Sequence, residues 1–172
     1  MGRRMKTLYI VRHAKSSWDY PELTDFERPL NKRGRRDAPF MGALLADRGD
    51  VPELLVASPA TRAAATARAF AEAFGRDFDE VVALPALYEA DVDSYLEIVR
   101  GVDDSYGLAM FFGHNPETTE LAELLTGETI DNVPTAGVVG VEANVETWKD
   151  VAPDNCRMKF FDYPKKYKSK KR

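Results

Sequence analysis

Residues 8–13 of the chain read Leu-Tyr-Ile-Val-Arg-His, an apolar run that ends abruptly in a basic pair. Four consecutive apolar residues, rich in β-branched and aromatic side chains, are typical of a strand that is buried on both faces. This strand is therefore expected to deliver Arg12 and His13 to the loop that follows it. That loop, residues 14–28, is polar and acidic and contains Pro21, so no regular structure is predicted for it.

Two later apolar runs end in a comparable way. Leu54–Ala57 is followed by Ser58-Pro59, and Leu108–Phe112 is followed by Gly113-His114-Asn115-Pro116. Ser58 and Asn115 each precede a proline, which is the order expected for a helix N-cap and the first helical position. Further strands are predicted over residues 81–84, 137–141 and 156–161.

Helical patterns separate most of these strands. Helices are expected from Asn31 to about Arg48, from Ser58 to about Phe74, from Asp91 onward, and after Pro116. Pro39 falls inside the first of these patterns, so that helix is expected either to begin near Asp37 or to be kinked at the proline. In the last helix, Leu121, Leu124 and Leu125 are expected to face inward. The alternation predicts a single-domain α/β fold with a mainly parallel central sheet and helices on both faces.

Length and composition narrow the class of protein. The 172 residues fit one domain, with its core over about residues 7–161. The single cysteine, Cys156, rules out an intramolecular disulfide, which favours a cytoplasmic location. No apolar run approaches the roughly 18 residues of a membrane helix, so no membrane association is predicted. The net charge of −4 argues against nucleic-acid binding, and the basic tail, residues 165–172, is interpreted as a frayed terminus.

The chemistry is expected where the strands end, because ligands of open α/β sheets bind beyond the carboxyl ends of the strands. The chain has two histidines, His13 and His114, and both follow predicted strands closely. Histidine suits proton and phosphoryl transfer near neutral pH, and arginines such as Arg12 and Arg62 match phosphate oxygens. Structural alternatives stay open at this point: Arg12 could pair with a loop acid such as Asp19, and Arg62 could be a solvated helix residue.

Four ordered motifs resemble those of the histidine phosphatase superfamily, over roughly residues 7–142. Leu8 to Ala14 resembles its Arg-His signature, and Ser58 to Ala67 resembles its Ser-x-x-x-Arg-Ala-x-x-Thr-Ala motif. Gly113 to Pro116 is similar to its second-histidine motif. Arg28-Pro29-Leu30-Asn31 is similar to a stretch of the short phosphohistidine-phosphatase branch. This resemblance implies a phosphoglycerate mutase-like fold.

The resemblance also implies roles for individual residues. His13 would be the nucleophile, while Arg12, Arg62 and His114 would bind the phosphoryl oxygens, with no metal and no cofactor. Glu89 is either a general acid or a surface glutamate. Arg28 either reaches the phosphate or pairs with a neighbouring acid, Asp25 or Glu27.

The substrate implied by the resemblance is a phosphorylated protein or a small phosphorylated compound. Hydrolysis of phosphohistidine in a protein is the first reading, a small-molecule phosphomonoesterase is the second, and an inactive phosphate-binding module is a minor third. Ala14-Lys15 after the Arg-His pair departs from the mutase branch, which usually has glycine and glutamate there. The sequence gives no indication of oligomeric state.

Overall fold

The computed structural model describes residues 5–168 and contains one mainly parallel, six-stranded sheet. The strands are β1 (Lys6–Arg12), β2 (Leu54–Ala57), β3 (Val81–Ala83), β4 (Leu108–Gly113), β5 (Val138–Ala143) and β6 (Cys156–Asp162). Their order across the sheet is β3-β2-β4-β1-β5-β6. The first four strands in this order run parallel, and β5 and β6 are antiparallel to their neighbours.

Helices cover both faces of the sheet, as the sequence predicts. They are α1 (Lys32–Asp47), α2 (Thr61–Ala73), α3 (Val92–Arg100), α4 (Glu117–Thr126) and the short α5 (Pro164–Lys168). Along β1, Leu8 and Ile10 pack with α3 and α4 on one face, whereas Tyr9 and Val11 pack with α1 and α2 on the other. The unbroken apolar run of β1 is explained by this burial on both faces, since successive side chains of a strand point to opposite sides.

Three of the parallel strands end next to one another, and this brings the sequence motifs together. Arg12 pairs with Gly113 in the ladder between β1 and β4, and Ala57 pairs with Phe112 between β2 and β4. The loops after β1, β2 and β4 therefore start side by side at one edge of the sheet.

Some local predictions are confirmed and others are wrong. The expected cap at Asn31 is confirmed, because α1 begins directly after it and the Asn31 side chain accepts a hydrogen bond from the Gly34 backbone. The alternative start near Asp37 is wrong, since the helix runs through Pro39. The good N-cap fixes the start of this helix, so the proline neither delays it nor ends it. Helix α2 begins at Thr61, three residues after the predicted cap Ser58. Leu124 on α4 does not face inward but is 40% exposed.

The C-terminal segment is helical as far as the structure describes it. Residues 165–168 belong to α5 rather than to a frayed tail, and the Lys168 ammonium lies 2.9 Å from an oxygen of Asp37 on α1. The remainder of the predicted tail, residues 169–172, lies outside the described residues. Among residues 5–168, no helix has the length and apolar character needed to span a membrane.

Candidate active site

His13 directly follows β1 and is buried at the carboxyl edge of the sheet. Its Nδ1 lies 2.7 Å from the carbonyl oxygen of Ala14, which can only accept, so Nδ1 carries a proton. Its Nε2 accepts a hydrogen bond from Arg62 Nε at 3.3 Å. Burial lowers the pKa of His13 to about 3, against the weaker raising effect of the Ala14 carbonyl. The ring is therefore neutral at physiological pH, with an unprotonated Nε2.

Arg62 lies in the first turn of α2 and links the nucleophile candidate to the loop after β1. Besides the contact with His13, its Nη1 donates to the backbone oxygen of Asp25 at 2.6 Å, and its Nη2 donates to Asp25 Oδ2 at 3.0 Å. The residue is buried, so the alternative of a solvated helix residue is wrong. Each of its three nitrogens has a partner.

His114 directly follows β4, and its ring centroid lies 5.3 Å from that of His13. Its Nε2 lies 2.8 Å from Ser58 Oγ, which also accepts a hydrogen bond from the Ala60 backbone. Ser58 therefore joins the loop after β2 to the ring after β4. Burial, reinforced by the positive charge of Arg62, lowers the pKa of His114 to about 4, so this ring is neutral as well.

Two buried polar atoms of this region have no hydrogen-bond partner among residues 5–168: Arg12 Nε and His114 Nδ1. Arg12 uses Nη1 to donate to the Val133 carbonyl at 3.0 Å, and no ion pair with Asp19 is formed. Buried donors in native proteins are almost always paired, so such atoms call for an explanation. A bound anion would supply a partner for Arg12 Nε, and for His114 Nδ1 in the tautomer that carries its proton there.

Arg28 is buried in the loop after β1. Its Nη1 donates to Ser16 Oγ at 2.6 Å and to the Ser17 backbone oxygen at 3.2 Å. Its Nη2 lies 3.3 Å from Asp25 Oδ1, so the expected pairing with that acid is present. The exposed ring of Trp18 stacks on the guanidinium, with 3.7 Å between the ring centroid and the Arg28 carbon.

Asp25 is the site residue whose importance the sequence does not reveal. Its carboxylate contacts Arg62, Arg28 and the hydroxyl of Tyr88, which donates to Oδ2 at 2.7 Å. These partners, chiefly the Tyr88 hydroxyl, lower the pKa of Asp25 to about 2. Asp25 is therefore ionised at neutral pH, and its side chain, which is 55% exposed, lies on the solvent side of the site.

Tyr88 connects this acid to the second histidine. Its ring lies edge-on to His114, with 5.6 Å between the ring centroids, and edge-on to Phe26 at 5.0 Å. The next residue, Glu89, is exposed and makes no hydrogen bond or ion pair within residues 5–168. The structure thus groups Arg12, His13, Arg62, His114 and Arg28 at one edge of the sheet and places Glu89 on the surface nearby.

Comparison with known proteins places this arrangement in a family. The sequence model of the histidine phosphatase superfamily (branch 1) matches residues 8–134, which include both histidines and all three arginines of the site. The chain belongs to the histidine phosphatase superfamily. It is therefore a phosphatase, and the resemblance stated from its motifs is confirmed.

Several relatives of this superfamily member extend the comparison. An uncharacterized chloroplastic protein of Arabidopsis thaliana is 31% identical over 153 residues, covering 84% of this chain and 70% of that protein. The structure of a candidate phosphohistidine phosphatase, SixA, from Agrobacterium tumefaciens is 29% identical, with a TM-score of 0.79, covering 92% of this chain and 98% of that one. The protein histidine phosphatase SixA in complex with tungstate shares the fold, with a TM-score of 0.79, 20% identity, and coverage of 94% and 99%.

Proposed function

We propose that this phosphatase hydrolyses phosphohistidine in a protein, through a covalent phosphohistidine formed on Nε2 of His13. The observation that carries the proposal is the state of the His13 ring. Its Nδ1 proton is held by the Ala14 carbonyl, so the lone pair is on Nε2, on the side of Arg62. A neutral histidine with a fixed tautomer is a competent nucleophile at physiological pH.

In the first step, the lone pair of His13 Nε2 forms a bond to phosphorus. The bond between phosphorus and the substrate's nitrogen breaks, and its electron pair leaves with that nitrogen. In the second step, a water oxygen attacks phosphorus, the bond to Nε2 breaks, and Nε2 regains its lone pair. The proton lost by the water passes to solvent, and inorganic phosphate departs.

In this proposal, the arginines and His114 bind the phosphoryl oxygens during both steps. Arg12 Nε is a buried donor in need of an acceptor, and His114 Nδ1 is a second buried nitrogen without a partner. If the Ser58 hydroxyl donates to His114 Nε2, the ring proton is on Nδ1 and that atom is a donor too. Donors fixed before the substrate arrives stabilise developing charge without reorganisation, so no metal ion is required in this proposal.

The preference for phosphohistidine over an ester is supported by the surroundings of Glu89. An alkoxide leaving group needs a proton from a general acid, whereas a phosphoramidate nitrogen departs more easily. Glu89 is exposed and unpaired, so the structure does not hold it in place as an acid. The resemblance to the SixA structure from A. tumefaciens agrees with this choice.

Replacement of the nucleophile tests the covalent mechanism. His13→Ala should abolish turnover and should not retain radiolabelled phosphate after denaturation, while the wild-type protein should. Chelators should leave the wild-type rate unchanged. Turnover in the alanine variant, or a phosphoenzyme that forms without His13, would show that the nucleophile is another group.

The choice of substrate is tested by comparing a phosphohistidine protein with p-nitrophenyl phosphate, for the wild type and Glu89→Gln. We expect fast dephosphorylation of the protein that changes less than about threefold in Glu89→Gln. Glu146→Gln, at an exposed glutamate after β5, is the matched control. Strong ester hydrolysis that collapses only in Glu89→Gln would instead identify a small-molecule phosphomonoesterase with Glu89 as its general acid.

A further inference from the structure

The contacts of Arg62 define two ends of the space in which a phosphoryl group would bind. Arg62 Nε faces His13 Nε2 at 3.3 Å, and Arg62 Nη2 faces Asp25 Oδ2 at 3.0 Å. A phosphoryl group that takes donors from this guanidinium would thus have the nucleophile at one end and Asp25 toward the other. Because phosphoryl transfer proceeds with attacking and leaving atoms roughly in line, a group that leaves on the side opposite His13 would depart toward Asp25.

The position of Asp25 at the surface supports the same assignment. Its side chain is 55% exposed, whereas the side chain of Arg62 is 7% exposed. A leaving group that is part of a protein has to enter from solvent, and Asp25 with its partner Tyr88 stands at that entrance. The carboxylate is therefore placed to meet the leaving group rather than the phosphoryl oxygens.

We propose that Asp25 is a specificity-determining residue that favours substrates whose leaving nitrogen group carries a positive charge over phosphate esters whose leaving group becomes an anion. The inference rests on the proposed function, since it takes His13 as the nucleophile. The favoured substrate class is a phosphorylated imidazole that is positively charged, because its second ring nitrogen carries a proton.

The chemistry of the step makes this charge useful. A phosphorylated imidazole that is protonated on its other nitrogen leaves as neutral imidazole when the phosphorus–nitrogen bond breaks. The negative charge of Asp25 stabilises the protonated substrate, because opposite charges attract within a few ångströms. The same charge disfavours a departing phenolate or alkoxide. Asp25 would therefore raise kcat/KM for the protonated phosphoramidate and lower kcat/KM for the ester.

Asp25 is suited to this role and not to proton donation. Its partners, chiefly the Tyr88 hydroxyl, keep it ionised, so it has no proton to give at neutral pH. The nearby cations Arg62 and Arg28 would otherwise make the entrance repel a protonated imidazole. Asp25 offsets their charge where the leaving group enters.

The test compares two small substrates, N-phosphohistidine and p-nitrophenyl phosphate, with Asp25→Asn, which keeps the size of the side chain and removes its charge. We expect the ratio of the two kcat/KM values, phosphoramidate over ester, to fall by about tenfold or more, the effect of one partly screened charge near the leaving group. Asp25→Glu should restore most of the ratio, because it restores the charge.

Glu27→Gln is the matched control, since Glu27 is an acid of the same short turn that contacts only the Thr24 backbone. Its ratio should stay within about twofold of the wild type. If Asp25→Asn lowers both kcat/KM values equally, Asp25 merely positions the arginines and the inference is wrong. Radiolabelled phosphate on His13 separates this failure from failure of the proposed function. If the wild type forms a phosphoenzyme but the ratio of kcat/KM values is unchanged in Asp25→Asn, only the role of Asp25 is overturned. If the wild type forms no phosphoenzyme, both proposals are overturned.

Discussion

Acidification should destabilise this protein well above the pH at which its carboxylates titrate. The chain contains two histidines, and both are buried and neutral in the folded state, with pKa values of about 3 and about 4. In the unfolded chain, each would have a pKa near 6.5. Between these values the unfolded state binds more protons than the folded state, so the free energy of unfolding must fall as the pH falls below about 6.5.

The size of the effect follows from the number of histidines. Each contributes about 1.4 kcal/mol per pH unit once the pH lies between the folded and unfolded pKa values. Two histidines give a slope of about 2.7 kcal/mol per unit, and a total loss of about 4 kcal/mol between pH 7.5 and pH 5.0. That loss is a large part of the 5–15 kcal/mol typical of a folded domain.

Urea unfolding at a series of pH values from 7.5 to 5.0 measures this slope directly. His13→Gln removes one of the two titrating groups and should lower the slope by about 1.4 kcal/mol per pH unit, whatever it does to the stability at pH 7.5. Effects of carboxylates are shared by both proteins and cancel in the comparison. A wild-type slope near zero over this range, or equal slopes for both proteins, would show that His13 is not held neutral by burial.

Two further substitutions test contacts that hold the site in place. Ser58→Ala removes the partner of His114 Nε2 and should lower kcat about tenfold on p-nitrophenyl phosphate, with unfolding midpoints confirming that the variant is folded; an unchanged kcat would mean that Ser58 does not orient the ring. Gly34→Ala would place a methyl group against the backbone oxygen of Lys15 and should lower the free energy of unfolding in urea by about 2 kcal/mol. In the control Gly101→Ala, the nearest neighbour of the new methyl group would be 3.5 Å away, so the loss should be smaller by at least about 1 kcal/mol. Equal losses in the two glycine variants would contradict this reading of the contact between α1 and the loop after β1.

The sequence predicts the features that depend on local or periodic patterns of apolar residues. The apolar run of β1 reflects a strand that is buried on both faces, and the end of each apolar run correctly places His13 and His114 at strand ends. Parallel neighbours bring such ends together, so the grouping of the two histidines follows from the fold class. Recognition of the ordered motifs then indicated which chemistry these residues support.

Asp25 shows why the remainder could not be predicted. It lies in a loop without periodicity, and its contacts with Arg62 and Tyr88 join residues 37 and 63 positions apart. The sequence alone indicates Asp25 only as one of two neighbouring acids, with Glu27, that could pair with Arg28. Ser58 is similar: its place before a proline predicts a helix cap, but its hydroxyl also contacts a histidine 56 positions away, and the helix begins later.

The net charge of the site is close to zero only when a phosphoryl group is counted with the protein side chains. Arg12, Arg28 and Arg62 bring three positive charges to one edge of the sheet, and Asp25 is the acid that pairs with two of them. Burying cations with few opposite charges is costly, so an anion bound at this edge would be strongly stabilised. A phosphoryl group carries up to two negative charges and would balance the three arginines and one aspartate. In the proposed mechanism, the neutrality of His13 belongs to the same balance, because a protonated ring would add another charge and lose the lone pair that attacks phosphorus. Burial and the positive charge of Arg62, which lower the pKa values of the two histidines, are therefore also the features that would suit this site to a phosphoryl group in the proposed mechanism.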